Sequence, residues 1–401
     1  MSTTRSAFAM LLLCTACSAY DTPDNIEAVA EGTAYQAQWR QPDVSRANAE
    51  YLRSAELNAQ QCLPLGGYDG KGKGSAIAAS ALAGERLTRN DLVDVRVGED
   101  ETFNGDYVIS RDGQLKLPFL TPIRAQGRST SQIEADIVSQ LLDNGFYSDA
   151  PRVSVRAADF ASVTVGVSGA VFEPRAVEIG GVPGDQLDAR RQAALGASTE
   201  ARNLSAALRA AGGVRPDADI SAVQVRRGGL VYRLDMRGVF EGQNAVDIML
   251  LTDDEVFVSS RQCFQDDLMR PSPISPPGVS LYLSNLTQPA SNNASSAIGQ
   301  TVREVPYGTR YMQAVVDANC VGGPRSTSAD RSAVLFTRNP VTGVSAVIER
   351  DIEDLLRRAD RDDYDPYLLP GDALACYDST VTNVAEIARV LGIISIAALI
   401  R

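Results

Sequence analysis

Asn90-Asp91-Leu92-Val93-Asp94-Val95-Arg96-Val97 alternates polar and apolar residues along most of its length. An alternation of period two sends successive side chains to opposite faces, so this stretch is read as a half-buried strand. Asp106-Tyr107-Val108-Ile109-Ser110 is a second strand, and Arg111-Asp112-Gly113-Gln114 follows it. Asp-Gly favours the backbone of a hairpin turn, so residues 115–119 are the expected returning strand. Ser129-Thr130-Ser131 caps a helix whose apolar positions Ile133, Ile137, Leu141 and Leu142 recur at helical spacing, and Gly145 lies where it should stop. Val153-Ser154-Val155-Arg156 starts a further strand. Together these make a small α+β unit over residues 85–160.

Toward the C terminus the chain repeats itself. Gly169-Ala170-Val171-Phe172-Glu173-Pro174 has a counterpart in Ser284-Asn285-Leu286-Thr287-Gln288-Pro289. Each is followed by a helix running into a double glycine, 204–211 before Gly212-Gly213 and 312–320 before Gly322-Gly323. Each copy then enters a strand through Ser-Ala-Val, at Ser221-Ala222-Val223 and Ser332-Ala333-Val334. Each closes with a Leu-Leu step and an acidic turn into a strand, Leu250-Leu251-Thr252-Asp253-Asp254-Glu255-Val256 and Leu368-Leu369-Pro370-Gly371-Asp372-Ala373-Leu374. This internal periodicity places two modules at 161–270 and 279–379. Pro271-Ser272-Pro273-Ile274-Ser275-Pro276-Pro277-Gly278 between them reads as a stiff linker. Asp253 and Asp254 would serve a hydrolase as paired carboxylates, but adjacent acids in a turn before a strand read as a solvated turn.

Composition narrows the function. The chain has 401 residues, 44% hydrophobic and 22% charged, as expected of a folded protein with roughly two to four domains. A net charge of −12 argues against a nucleic-acid partner, which calls for a basic patch. The absence of histidine removes the commonest general base and metal ligand and every Ser-His-Asp arrangement, so no catalytic residue, metal site or cofactor is assigned.

Arg5 precedes an apolar run at 7–13, and small residues follow, which is the pattern of a secretory signal. Leu13-Cys14-Thr15-Ala16-Cys17 resembles a bacterial lipobox, with residues 1–16 removed and Cys17 lipidated. The competing reading is an ordinary cleavage after Ala19. Residues 17–84 form an N-terminal region and linker, in which 43–61 can be helical. The glycine-rich run 66–74 lacks the GxxxxGK[ST] pattern of a phosphate loop and reads as flexible. Export leaves Cys62, Cys263, Cys320 and Cys376 in an oxidising compartment, where three pairings are open. Cys320 lies just before the double glycine of the second copy and Cys376 in its closing strand, which favours a bridge within that copy. Cys62 would then pair with Cys263.

Residues 380–401 carry only Glu386 and Arg389 as charges before the terminal arginine. As a helix they would extend about 33 Å, against a hydrocarbon core of roughly 30 Å. Thr382, Asn383, Glu386 and Arg389 fall in one sector of such a helix. Val381, Val384, Ile387, Ala388, Leu391 and Ile394 occupy the other side. A buried core helix, an interfacial helix and a spanning helix all remain open. A ring of copies would relieve the spanning form of its intramembrane charges by turning the polar sector toward water or toward neighbours.

From residue 87 to 174 the chain resembles the polysaccharide export domain of outer-membrane export lipoproteins of the Wza type. The resemblance is carried by Asn90-Asp91-Leu92-Val93-Asp94-Val95, by Tyr107-Val108-Ile109-Ser110-Arg111-Asp112-Gly113, by Leu117-Pro118, by the helix after Gly127, by Ser148-Asp149-Ala150-Pro151-Arg152-Val153-Ser154-Val155 and by the 169–174 turn. Asn90-Asp91 stands where the family usually has Gly-Asp. The two copies are similar to the β-grasp modules (SLBB) that follow in this family, and residues 380–401 to its C-terminal amphipathic helix. The implied fold is α+β: an export domain, two β-grasp-like modules and a C-terminal transmembrane helix. The resemblance further implies a homo-oligomeric ring, typically octameric, standing in the periplasm and anchored in outer-membrane lipid. Its helices would line a channel for capsular polysaccharide or exopolysaccharide, and an inner-membrane polysaccharide co-polymerase or tyrosine autokinase would dock below. No aromatic platform in the sequence identifies a sugar-binding residue. The reading from another class is a periplasmic lipoprotein that binds glycan or peptidoglycan and spans nothing.

Overall fold

A computed structural model describes residues 34–39, 54–66, 82–98, 100–180, 200–243, 246–285, 302–318, 320–321, 331–357 and 361–377. The chain divides into two compact units. One combines Met1–Gln61 with Gly278–Arg401, and the other is Cys62–Pro277. In the first unit, the described N-terminal part is a 3-10 turn, Ala37–Trp39, and a helix, α1 (Ser54–Gln60), which is what is described of the helix expected over 43–61.

The unit Cys62–Pro277 begins with the alternating strand. β1 (Leu92–Val97) buries Val93, Val95 and Val97 and turns its other side chains outward. It lies between β2 (Asp100–Val108) and β5 (Val153–Asp159), antiparallel to both. The Asp-Gly turn forms, with the Gly113 N–H donating to the Ser110 carbonyl at 2.8 Å. The expected returning strand does not pair with the strand before the turn. β3 (Gln114–Leu115) is only two residues long and pairs instead with β4 (Ile123–Arg124). Pro118 lacks an N–H and restricts Leu117, so a long return strand cannot propagate. Helix α2 (Thr130–Asp143) starts in a capping box between Ser129 and Gln132. It buries Ile133, Ile137 and Leu141 against the sheet, each contributing about 1.5–3 kcal/mol, while Leu142 is half-buried.

The rest of this unit is a five-stranded mixed sheet. Its elements are β6 (Val163–Gly169), β7 (Arg175–Ile179), helix α3 (Leu204–Ala210), β8 (Val223–Arg227), β9 (Leu230–Leu234), a single turn α4 (Gly238–Glu241) and β10 (Glu255–Val258). The strand order is β7-β6-β10-β8-β9, with β10 parallel to β6 and the other neighbours antiparallel. Leu204, Ala207 and Leu208 of α3 share one core with Val163, Val165, Val167, Val225 and Val256. Gly169, at φ +90°, closes the parallel pair, and a Cβ there would meet the Val258 carbonyl oxygen at 2.0 Å.

The proline-rich stretch is not a free linker. Ile274 and Ser275 are buried, and Val214 donates to the Ile274 carbonyl at 2.9 Å. Gly213 admits this segment, because a Cβ there would lie 2.3 Å from the Pro276 nitrogen. The apolar Ile274 and the bare backbone of Gly213 together draw the segment onto the module that precedes it.

The second unit repeats the sheet. β11 (Val279–Asn285), β12 (Val302–Val305), helix α5 (Tyr311–Asp317), β13 (Ser332–Arg338), β14 (Ser345–Asp351), helix α6 (Ile352–Arg357) and β15 (Ala373–Tyr377) follow in order. The strand order β12-β11-β15-β13-β14 matches the first sheet position for position, again with its first and last strands parallel. The N-terminal segment belongs to this unit. Gln36 and the backbone of Tyr367 exchange two hydrogen bonds of 3.0 Å. Arg350, buried, donates to the carbonyls of Tyr364, Gln38 and Trp39 at 3.1, 3.0 and 3.3 Å. Burial pushes its guanidinium down to about 10. Among the described residues no helix is long and apolar enough to cross a membrane, and the segment 380–401 lies outside them.

Candidate functional site

One local device recurs three times. Before β1, β10 and β15 the chain makes a turn whose last residue is aspartate. The N–H of Asp91, Asp254 or Asp372 donates to the carbonyl three residues earlier, on Thr88, Leu251 or Leu369. The carboxylate then accepts the N–H of that same earlier residue, at 2.7, 2.8 and 2.8 Å. The residue before each aspartate is left-handed: Asn90 at φ 70°, Asp253 at φ 70° and Gly371 at φ 92°. Asparagine, aspartate and glycine are the residues that tolerate this conformation, so Asn90 can stand where Gly is usual.

The three aspartates differ in what faces them. Asp91 and Arg202 are both buried and meet at 2.8 Å, with the guanidinium also stacked over Phe160. Burial pushes the Asp91 carboxyl up and the Arg202 guanidinium down, and their attraction opposes both. Asp254 is gripped by Arg227 at 2.6 Å. It is therefore not the solvated turn residue expected from the sequence, because its carboxylate is needed inside the turn. Asp253 is exposed and pairs with Arg89 at 3.2 Å, so the two neighbouring carboxylates do not face a common substrate position. Asp372 is buried with no cation paired to it among the described residues, and burial pushes its carboxyl up to about 7. Neutral Thr337 occupies the register position that Arg227 holds in the first sheet.

Away from its helix, the first sheet presents an open face. A groove of about 430 Å³ runs over it, lined by Ser168, Gln224, Arg226, Val231, Glu255 and Phe257. The alternation along β8 and β10 creates it: Val225, Val256 and Val258 point into the core, so Arg226, Glu255 and Phe257 point out. Arg226 donates to Glu255 across the strands at 2.8 Å, with both side chains more than half exposed. Phe257 is the exposed aromatic of this face, and the sequence did not single it out. Its signal was the β10 alternation read together with the pairing register, which composition does not show.

The cysteines are joined as Cys62–Cys263 and Cys320–Cys376, with Cα–Cα distances of 4.8 and 5.9 Å. Cys17 lies outside the described residues, as do the expected polar sector Thr382, Asn383, Glu386 and Arg389 and the apolar sector Val381, Val384, Ile387, Ala388, Leu391 and Ile394. Residues 80–158 match the family of polysaccharide biosynthesis/export proteins, so the chain carries a domain of that family, consistent with the Wza-type export proteins. The match spans β1 to β5, the helix α2 and Asp91 with its turn. No curated protein matches the chain.

Proposed function

We propose that this protein is the outer-membrane component of a polysaccharide export machine, a non-enzymatic conduit formed by several copies of the chain. The observation that carries this reading is the order of parts. A domain of the export family is followed by two sheets of one strand order, the arrangement expected of paired β-grasp modules. In this reading Cys17 anchors the chain to lipid, and residues 380–401 from about eight copies form a helical barrel. A helix satisfies its own backbone in the bilayer, and the ring lets the polar sector face water. An inner-membrane co-polymerase or autokinase would feed the polymer from below. The three buried aspartate turns serve as rigid strand starts and do no chemistry.

Deleting residues 380–401 tests the proposal. A conduit loses surface polysaccharide while still making soluble rings, seen by electron microscopy. A glycan-binding or peptidoglycan-binding lipoprotein that spans nothing keeps its surface polysaccharide.

A further inference from the structure

The groove on the first sheet has a contrasting counterpart in the second. The two sheets share one strand order, so their registers align residue by residue. Glu255 lies opposite Arg226 and Gly166, and Ala373 lies opposite Phe336 and Tyr282. The Arg226–Glu255 pair of the first sheet is thus replaced by Phe336 and Ala373 in the second. Gln224 is replaced by Val334, and Phe257 by Ala375. In the second sheet Val334 and Ala375 are buried, so apolar residues line an interior there, whereas Arg226, Glu255 and Phe257 stand on an open face. Stability does not explain the Arg226–Glu255 pair, because an ion pair this exposed is worth little.

We infer that this groove is a saccharide-binding subsite, taking a short segment of an uncharged hexose chain. A sugar ring presents an apolar face edged with vicinal hydroxyls. Phe257 offers a flat apolar surface for that face. Beside it, Glu255 accepts and Arg226 donates from adjacent strands, the complementary pair that two neighbouring hydroxyls require. Ser168, on the far side of Phe257 in the register, adds a hydroxyl at the rim. The Arg–Glu pair is self-neutralising, which favours an uncharged ligand over a uronate. The volume of about 430 Å³ lies within the range of small-ligand sites. The open geometry predicts weak, reversible contact that suits a polymer in passage.

The inference rests on the export reading only for its choice of a glycan as occupant. Isothermal titration of the full chain with neutral tetrasaccharides built from glucose, galactose or mannose tests it, with tetragalacturonate as the charged comparison. At least one neutral tetrasaccharide should bind. Phe257→Ala and Glu255→Gln should each weaken that binding by about tenfold. Tyr282→Ala, an exposed aromatic on the matching face of the second sheet, should leave it unchanged. Binding by none of the neutral sugars, preference for tetragalacturonate, or binding insensitive to Phe257→Ala would overturn the subsite. The export reading is decided separately, by surface polysaccharide after deletion of residues 380–401.

Discussion

Two sheets with one strand order meet their surroundings differently. In the first, β8 and β10 alternate strictly, and the face away from the helix carries Arg226, Glu255 and Phe257. In the second, β13 buries Ala333, Val334 and Leu335 in succession, and β14 buries Ala346, Val347 and Ile348. A strand buried on consecutive positions has both faces withdrawn from water. Strand order therefore sets where residues stand, and the side chains decide whether a face is a surface or an interior. The aspartate turns show the same divergence, since Asp254 has an arginine and Asp372 has a threonine in the corresponding place.

The largest test of this contrast concerns the disulfides. The first module is tied to a segment outside its sheet across a separation of 201 residues, the second within itself across 56. Cys263→Ala should destabilise by about 5 kcal/mol and Cys376→Ala by about 4 kcal/mol in urea denaturation. Equal effects would show that loop length is not what separates them.

Next in size is the arginine that faces Asp254 and has no counterpart at Asp372 among the described residues. Arg227→Ala leaves Asp254 buried without its cation and should lower stability by about 3 kcal/mol. Thr337→Ala, at the matching position, should change it by less than about 1 kcal/mol. Similar losses for both would erase the distinction between the turns.

Asp372 gives the second module a pH dependence. Unfolded, it titrates near 3.9; folded, burial holds it near 7. Between these values the folded state holds a proton that the unfolded state has released. Stability is fully present below about pH 4 and falls as pH rises to about 7, by at most about 1.4 kcal/mol per pH unit. Asp365, pushed up to about 6 by burial, acts in the same sense. Trp39 is the only tryptophan and is buried in this unit, so its fluorescence reports the unfolding. Asp372→Asn should flatten most of the slope; an unaltered slope would assign it elsewhere.

The smallest effect belongs to the groove. Arg226→Gln should alter stability by less than about 1 kcal/mol, because its ion pair is solvated. A larger loss would make the pair structural and weaken the case for a ligand.

Local physics was legible in the sequence. The alternation of β1, the cap at Ser129 and the apolar spacing of α2 are each decided within a few residues. The placement of Cys320 and Cys376 in one copy gave the same pairing as the structure. Contacts decided far along the chain were not legible. Nothing near Gln36 announces Tyr367, 331 residues away. The docking of Ile274 depends on the missing side chain of Gly213, and the groove depends on a register that forms only when β8 and β10 meet.

The hydrogen bond from Arg350 to the Trp39 carbonyl has a temporal consequence. A chain is made from its N terminus at roughly 5–20 residues per second, so Trp39 exists well before the residues that enclose it. The unit Cys62–Pro277 is complete in sequence while Trp39 still waits, and the arginine that bonds its carbonyl arrives only with β14. The final module is thus the clasp of the unit that holds Trp39. A nascent chain halted before residue 331 should keep a water-exposed tryptophan, and an indole already shielded at that length would show the clasp closing by another route.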